Sequence, residues 1–162
     1  MSCWASPFSQ ISPKLLFVTD GYTYGGKYFD RSAQVREMIA ALPSVEHVVQ
    51  IPAVGGQGAA VVESAIPWQS LLAGPAVAAE DFAYARTGFN DPLWIVYSSG
   101  TTGLPKPFVH GHGGILLEAL KFTHFHLNLK PDSCMFYFTT TGWVMWNIML
   151  SGLVAGAAVV MI

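Results

Sequence analysis

Between Tyr97 and Pro107 the chain reads YSSGTTGLPKP, and the nine residues Ser98 to Lys106 hold two serines, two threonines, two glycines and a lysine. Gly100 and Gly103 permit positive φ and let backbone N–H groups converge on an anion without a Cβ in the way. Ser98, Ser99, Thr101 and Thr102 add hydroxyl donors, and Lys106 brings a point charge on a flexible stem. Together these groups can cradle a polyphosphate. The pattern is not a Walker A loop, which needs four residues between its glycines and Lys-Ser/Thr directly after the second. Here two residues separate Gly100 from Gly103, and Leu104 and Pro105 precede Lys106. The segment after the loop, Phe108 to His110, reads as extended, so the helix N-terminus that backs a P-loop phosphate is not expected. The alternative is a polar turn that binds nothing. The apolar run ahead of the loop and its Pro-Lys ending favour the phosphate reading.

Other residues with chemical potential are weaker candidates. His110 and His112 could share one side of an extended segment, but no carboxylate or third ligand lies near them in sequence. His124 and His126 fall on different faces of a helix. Cys3 and Cys134 stand far apart, without a CxxC or paired Cys/His spacing, which argues against a zinc site and a disulfide framework and suits a reducing cytoplasm. No metal site is expected from these residues.

The elements that must position the loop follow from hydrophobic periodicity. Lys14 to Thr19 is a short apolar run closed by Asp20 and Gly21, a buried strand. Asp30 precedes a stretch with Val35, Met38, Ile39 and Leu42 on one helical face, and is predicted to be its N-cap. His47 to Ile51 is a second strand, so strand, helix and strand form a parallel crossover unit. The Gly/Pro-rich stretch from Pro52 to Asp91 is predicted to be a long connection with one short helix at Trp68 to Leu72. Leu93 to Tyr97 is a buried strand leading into the loop. An amphipathic helix follows Gly113 and Gly114 and runs to about Leu129, stopped by Pro131. Met135 to Phe138, a helix at Trp143 to Leu153 and a strand at Ala157 to Ile162 complete an α/β fold, a mainly parallel sheet flanked by helices. The strands at 93–97, 135–138 and 157–161 are predicted to share one sheet.

The chain has 162 residues, 52% hydrophobic and 11% charged, with a net charge of −2. That suffices for one ordinary core and gives no sign of disorder. The few Lys and Arg are scattered, so the basic stripe demanded by a nucleic-acid backbone is missing and small molecules are the expected partners. Ser133 to Ile162 carries no charge and competes as a membrane span. The Thr139 to Gly142 cluster interrupts it, and strand, helix, strand explains it without lipid. The first ten residues lack the basic start and continuous apolar stretch of a secretory signal and are expected to be a poorly ordered extension. Residues 11–162 are then one domain, expected to be truncated because the last strand runs to Ile162 with no cap after it. An apolar edge left open in this way is expected to drive self-association.

The loop YSSGTTGLPKP resembles the phosphate-binding motif of the adenylate-forming superfamily, and its flanks sharpen the resemblance. DGYTYGGKYFDR, VHGHGGILLEALKFTHFHLNL and FTTTGWVMWNIMLSGLVAGAAVVM are similar to stretches of the acetoacetyl-CoA synthetases, over nearly everything from Ile11 to Ile162. Pro107 stands where many superfamily members have glycine, a departure the acetoacetyl branch tolerates. The resemblance implies part of the large N-terminal AMP-binding domain of an ATP-dependent acid–CoA ligase, with ATP, Mg²⁺ and coenzyme A as cofactors and acetoacetate as the acid. It implies that Ser98, Ser99, Gly100, Thr101, Thr102, Gly103 and Lys106 hold the ATP phosphates. Trp143, Val144 and Met145 match a segment bordering the acyl pocket and pantetheine tunnel, with ordinary helix packing as the alternative. Lys27, after Gly25 and Gly26, matches a basic position near the coenzyme A phosphates, with plain solvation as the alternative.

The family's Tyr-Gly-x-Thr-Glu stretch, ribose-binding Asp, hinge and C-terminal catalytic lysine are not found in these residues, so a fragment inactive on its own is expected. The competing readings are a stand-alone nucleotide-phosphate-binding or interaction module that keeps the loop for another use, and a structural remnant that binds nothing.

Overall fold

The computed structural model describes residues 5–53, 59–98 and 105–161. They sort into two compact units, one of Met1–Ala83 with Ser99–Lys106 and one of Tyr84–Ser98 with Pro107–Ile162.

The first unit is built on a parallel ladder. Strand β1 (Leu15–Thr19) pairs in parallel with β4 (His47–Ile51), Leu15 opposite His47 and Thr19 opposite Ile51. Strand β5 (Ile66–Pro67) adds to the other side of β4. Alternation along β1 buries Leu16 and Val18, which form a core with Val48 and Val61. Helix α2 (Ser32–Ala40) supplies Val35, Met38 and Ile39 to that core, at the spacing that puts them on one face. Leu42, just past the helix, is only 2% exposed. Two buried polar side chains fasten the C-terminal ends of these strands. The Asp20 carboxylate accepts the Ala53 N–H at 2.8 Å, and Gln50 donates to the Ala59 carbonyl and accepts the Val61 N–H, both at 2.8 Å. Each finds hydrogen-bond partners, as burial requires. Helix α3 (Trp68–Leu72) follows β5 where the sequence predicts a short helix, and Trp68 meets Phe17 edge to face.

Strands β2 (Gly21–Tyr24) and β3 (Lys27–Asp30) form an antiparallel hairpin that the sequence reading did not include. Its turn residues Gly25 and Gly26 have φ of +57° and +74°. Two consecutive left-handed residues make the turn whose twist matches paired strands, and Gly-Gly accepts it without a Cβ clash. The predicted N-cap is displaced by one residue. Asp30 is the last residue of β3 and Arg31 occupies the cap position, yet the Asp30 carboxylate still accepts the Ser32 N–H at 2.7 Å. Asp30 therefore serves a free donor of the helix start from one position further back.

A short helix, α1 (Ala5–Ser9), lies in the stretch expected to lack order. Gln10 beside it donates to the Pro105 carbonyl at 3.1 Å.

Strands β6 (Pro92–Ser98) and β7 (Lys106–Gly111), which from Pro107 on belongs to the second unit, are neighbours in a two-stranded sheet. Helix α4 (His112–Lys121) runs on from β7 and continues as a π-type turn over Phe122–His126, where the Leu127 N–H reaches back to the Phe122 carbonyl. Fully buried Thr123 donates its hydroxyl to the Ala119 carbonyl at 2.7 Å. A side chain bonding back to the preceding turn competes with the backbone ladder at this point. Strand β8 (Cys134–Met135) pairs in parallel with β9 (Ala158–Val159), and α5 (Val144–Leu150) with a 3₁₀ turn over Ser151–Ala155 connects them.

Here the expectation of one shared sheet fails. Among the described residues β6 ladders with β7, and β8 ladders with β9 in a separate pair. The predicted strand at Met135 to Phe138 stops at Met135, and Phe136, Tyr137 and Phe138 are exposed. Among the described residues no helix is long and apolar enough to cross a membrane.

Candidate functional site

The loop's ends rest on strands. Ser98 closes β6 and is half-buried, while Lys106 opens β7 with its side chain exposed. Ser99, Gly100, Thr101, Thr102 and Gly103 lie outside the described residues. Tyr97, one residue ahead of the loop, has its phenol pushed above the usual range by burial, so it stays a neutral hydroxyl at physiological pH.

The start of the helix that follows is tied to the chain before β6. The His112 N–H donates to the Asp91 carbonyl at 3.0 Å and the Gly113 N–H to the Phe89 carbonyl at 2.9 Å. The segment before β6 is itself pinned, with the Gly88 N–H donating to the Asp91 carboxylate at 2.6 Å. Two helix-start donors are thus consumed by the chain. The extended run after the loop, expected from Phe108 to His110, is present as β7 ahead of this helix. Gly113 is required sterically, because a Cβ at that position would collide with the Phe89 ring.

The three residues matched to the acyl and pantetheine region do not share one surface. Trp143 caps α5 and is 63% exposed, and Val144 is also exposed. Met145 is half-buried and lines an apolar cavity of about 280 Å³ with Phe122, Leu129, Met135, Tyr137 and Ile148. Lys27 stands exposed at the first position of β3, opposite Tyr24. Beside it, Tyr22 stacks on Phe29 at 5.3 Å, and the Arg31 guanidinium lies over the Tyr22 ring, also at 5.3 Å. The hairpin therefore presents aromatic faces and cationic groups together.

Sequence reasoning missed an apolar opening in the second unit. A cleft of about 610 Å³ lies between α4, β6 and the end of α5, with Phe89, Leu93, Trp94, Ile115, Leu116 and Leu150 on its walls. The signal was available in α4, whose Ile115, Leu116, Leu117, Ala119 and Leu120 are too many and too widely distributed for one buried stripe.

Among the described residues no group of three or more His, Cys, Asp or Glu lies close enough to hold a metal ion.

Comparison with known proteins fits this arrangement. The AMP-binding enzyme family model matches residues 7–162. The acetoacetyl-coenzyme A synthetase of Rhizobium meliloti (strain 1021) is 42% identical over 150 residues, which are 93% of this chain and 23% of that protein. The acetoacetyl-CoA synthetase of Gallus gallus is 37% identical over 158 residues, 95% of this chain and 24% of that protein. The structure of the acetoacetyl-CoA synthetase from Streptomyces lividans matches with a TM-score of 0.87 and 41% identity, covering 97% of this chain and 23% of that one. The chain thus spans about a quarter of the length of these relatives. With its parallel ladders, its strand-anchored SSGTTGLPK loop and a family match over nearly every residue, the chain belongs to the AMP-binding enzymes.

Proposed function

We propose that this chain supplies the ATP-phosphate loop and adjoining fold of an ATP-dependent acid–CoA ligase whose acid is acetoacetate. The observation that carries the reading is the SSGTTGLPK loop between β6 and β7, in a chain 42% identical to an acetoacetyl-coenzyme A synthetase.

In the reaction, a carboxylate oxygen of acetoacetate attacks the α-phosphorus of ATP and the bond to pyrophosphate breaks. The coenzyme A thiol then attacks the acyl carbonyl and AMP departs. Negative charge grows on the leaving pyrophosphate in the first step. Ser98, Ser99, Thr101 and Thr102 hydroxyls, backbone N–H groups at Gly100 and Gly103, and the Lys106 ammonium are assigned to those oxygens, where preformed donors act most strongly on developing charge. Lys106 is exposed at the start of β7, and a flexible lysine stem suits this role. Mg²⁺ would arrive with the nucleotide, held by phosphate oxygens and water and not by a cage of these side chains. Lys27 is assigned to the coenzyme A phosphates, and Trp143, Val144 and Met145 to the acyl and pantetheine path. Such an enzyme belongs in the cytoplasm.

The expected partners are small molecules, and residues 11–162 form part of the AMP-binding domain, without ligase activity when isolated. The test is a chimera in which this chain replaces the matching quarter of the Streptomyces lividans synthetase. Coenzyme A consumption dependent on both ATP and acetoacetate is the expected result. A folded chimera that consumes none would refute the assignment.

A further inference from the structure

We infer that Asp20 is a positioning residue, whose buried carboxylate holds the β2–β3 hairpin through the Tyr28 hydroxyl and so places Lys27 for the coenzyme A phosphates; this rests on the ligase reading above, which gives Lys27 that role. The hairpin has little of its own to fix it. β2 and β3 pair with each other and, among the described residues, with no third strand. Two strands alone are marginally stable in water. All four residues of β3 are exposed, and of β2 only Gly21 is buried. A Cβ added at Gly25 or Gly26 would meet nothing, so the tip is not packed and the place of Lys27, the next residue, is set from the base.

At that base the bonds converge on Asp20, which is 4% exposed and joins the end of β1 to the start of β2. Its carboxylate accepts the N–H of Ala53, beyond the end of β4, at 2.8 Å, and also the hydroxyl of Tyr28 on β3. Its carbonyl accepts the N–H of Arg31, just past β3, at 2.7 Å. One buried residue therefore ties the parallel ladder to both strands of the hairpin. A carboxylate out of water needs such donors, and a hydrogen bond to it is stronger than one between neutral groups. The phenol reaches it by lying across Gly21, where a Cβ would stand 2.5 Å from the Tyr28 hydroxyl oxygen, so only glycine leaves the path open. Tyr28 and Lys27 are adjacent on β3 and their side chains leave it on opposite faces. Holding the first by its hydroxyl orients the second.

The test is Tyr28→Phe, which removes the hydroxyl and keeps the ring. In this chain, amide hydrogen exchange from Tyr22 to Tyr28 should quicken at least about threefold while the amides of β1 and β4 keep their rates. In the chimera with the Streptomyces lividans synthetase, the KM for coenzyme A should rise roughly two- to tenfold, the range set by one lost hydrogen bond. ATP–pyrophosphate exchange, which involves no coenzyme A, should stay as it was. Added to Lys27→Ala, Tyr28→Phe should raise that KM no further, because the two act through one contact. Asp20→Ala, which strips both donors of their acceptor, should raise it at least as far; if that variant does not fold, the Tyr28→Phe result decides. Unchanged exchange in the hairpin would overturn the proposal, and so would an unchanged KM for coenzyme A or an equal loss in both half-reactions. If the chimera folds but is inactive, the ligase reading falls and calorimetric binding of coenzyme A decides this one. Binding weakened by Tyr28→Phe would sustain the positioning role, whereas unaffected or absent binding would end it.

Discussion

The two units differ in how far their apolar side chains close into a core. In the first, alternation along β1 and the single face of α2 converge on Leu16, Val18, Val48 and Val61, and the buried polar groups Asp20 and Gln50 are both paired. In the second, α4, the stretch after β8 and the start of α5 leave Leu116, Leu117, Phe136, Phe138 and Trp143 exposed. The first pattern completes a core from local sequence. The second leaves more of its large apolar side chains at the surface, in contact with water. The difference teaches that the crossover around β1 and β4 gathers one local core while still exposing Phe17 and Leu72, and that the residues around α4 and α5 bury less of what they offer.

The sharpest way to break this contrast is a pair of truncations. Leu42→Ala removes a side chain that is 2% exposed and should destabilise the isolated chain by about 2–5 kcal/mol in denaturant unfolding. Leu116→Ala, at a position 50% exposed, should change it by about 0.5 kcal/mol or less. Equal losses at the two positions would mean that the α4 face is already packed.

Next in size is Gly113→Ala. Its Cβ would meet the Phe89 ring, and forcing extra volume into such a contact costs roughly 1–3 kcal/mol. The loss should shrink when combined with Phe89→Ala, the non-additivity expected of residues in contact. A purely additive double variant would show that the ring is not what Gly113 accommodates.

The smallest effect concerns the first unit. Hydrogen bonds from Ser32 hold the Asp30 carboxyl below the usual carboxylate range, with Arg36 nearby assisting. A depressed folded pKa contributes stability that is fully present above the ordinary value of about 4 and is lost as pH falls through the lower folded value. Stability of the chain should therefore decline on acidification below about pH 4, and Asp30→Asn should flatten part of that decline. An unchanged acid limb in the Asp30→Asn variant would remove this linkage.

How much was legible in the sequence follows the same division. The crossover of β1, α2 and β4 could be read because periods of two and 3.6 are local properties and each was clean. The Tyr24-Gly25-Gly26-Lys27 hairpin could have been read from its Gly-Gly turn between residues of strand type. The fate of Phe136, Tyr137 and Phe138 could not, because an aromatic run looks the same whether or not a partner strand is present. The π-type turn after Lys121 coincides with the Thr123 hydroxyl bonding to the Ala119 carbonyl, a choice that helical spacing does not encode. For the candidate site, the phosphate reading rests on the residue types of the loop alone. That Trp143 and Val144 are exposed while Met145 lines a cavity is set by how α5 packs, which periodicity leaves open.

The central claim is that Lys106 belongs to a phosphate site used in adenylate formation, and Lys106→Ala in the chimera tests it most directly. Loss of a charge-assisted contact of about 1.5–3 kcal/mol should slow ATP–pyrophosphate exchange with acetoacetate by roughly ten- to a hundredfold. Transfer from supplied acetoacetyl-AMP to coenzyme A does not involve the pyrophosphate contact and should change by less than about threefold, under 1 kcal/mol. An equal loss in both half-reactions, or none in either, would contradict the role assigned to Lys106.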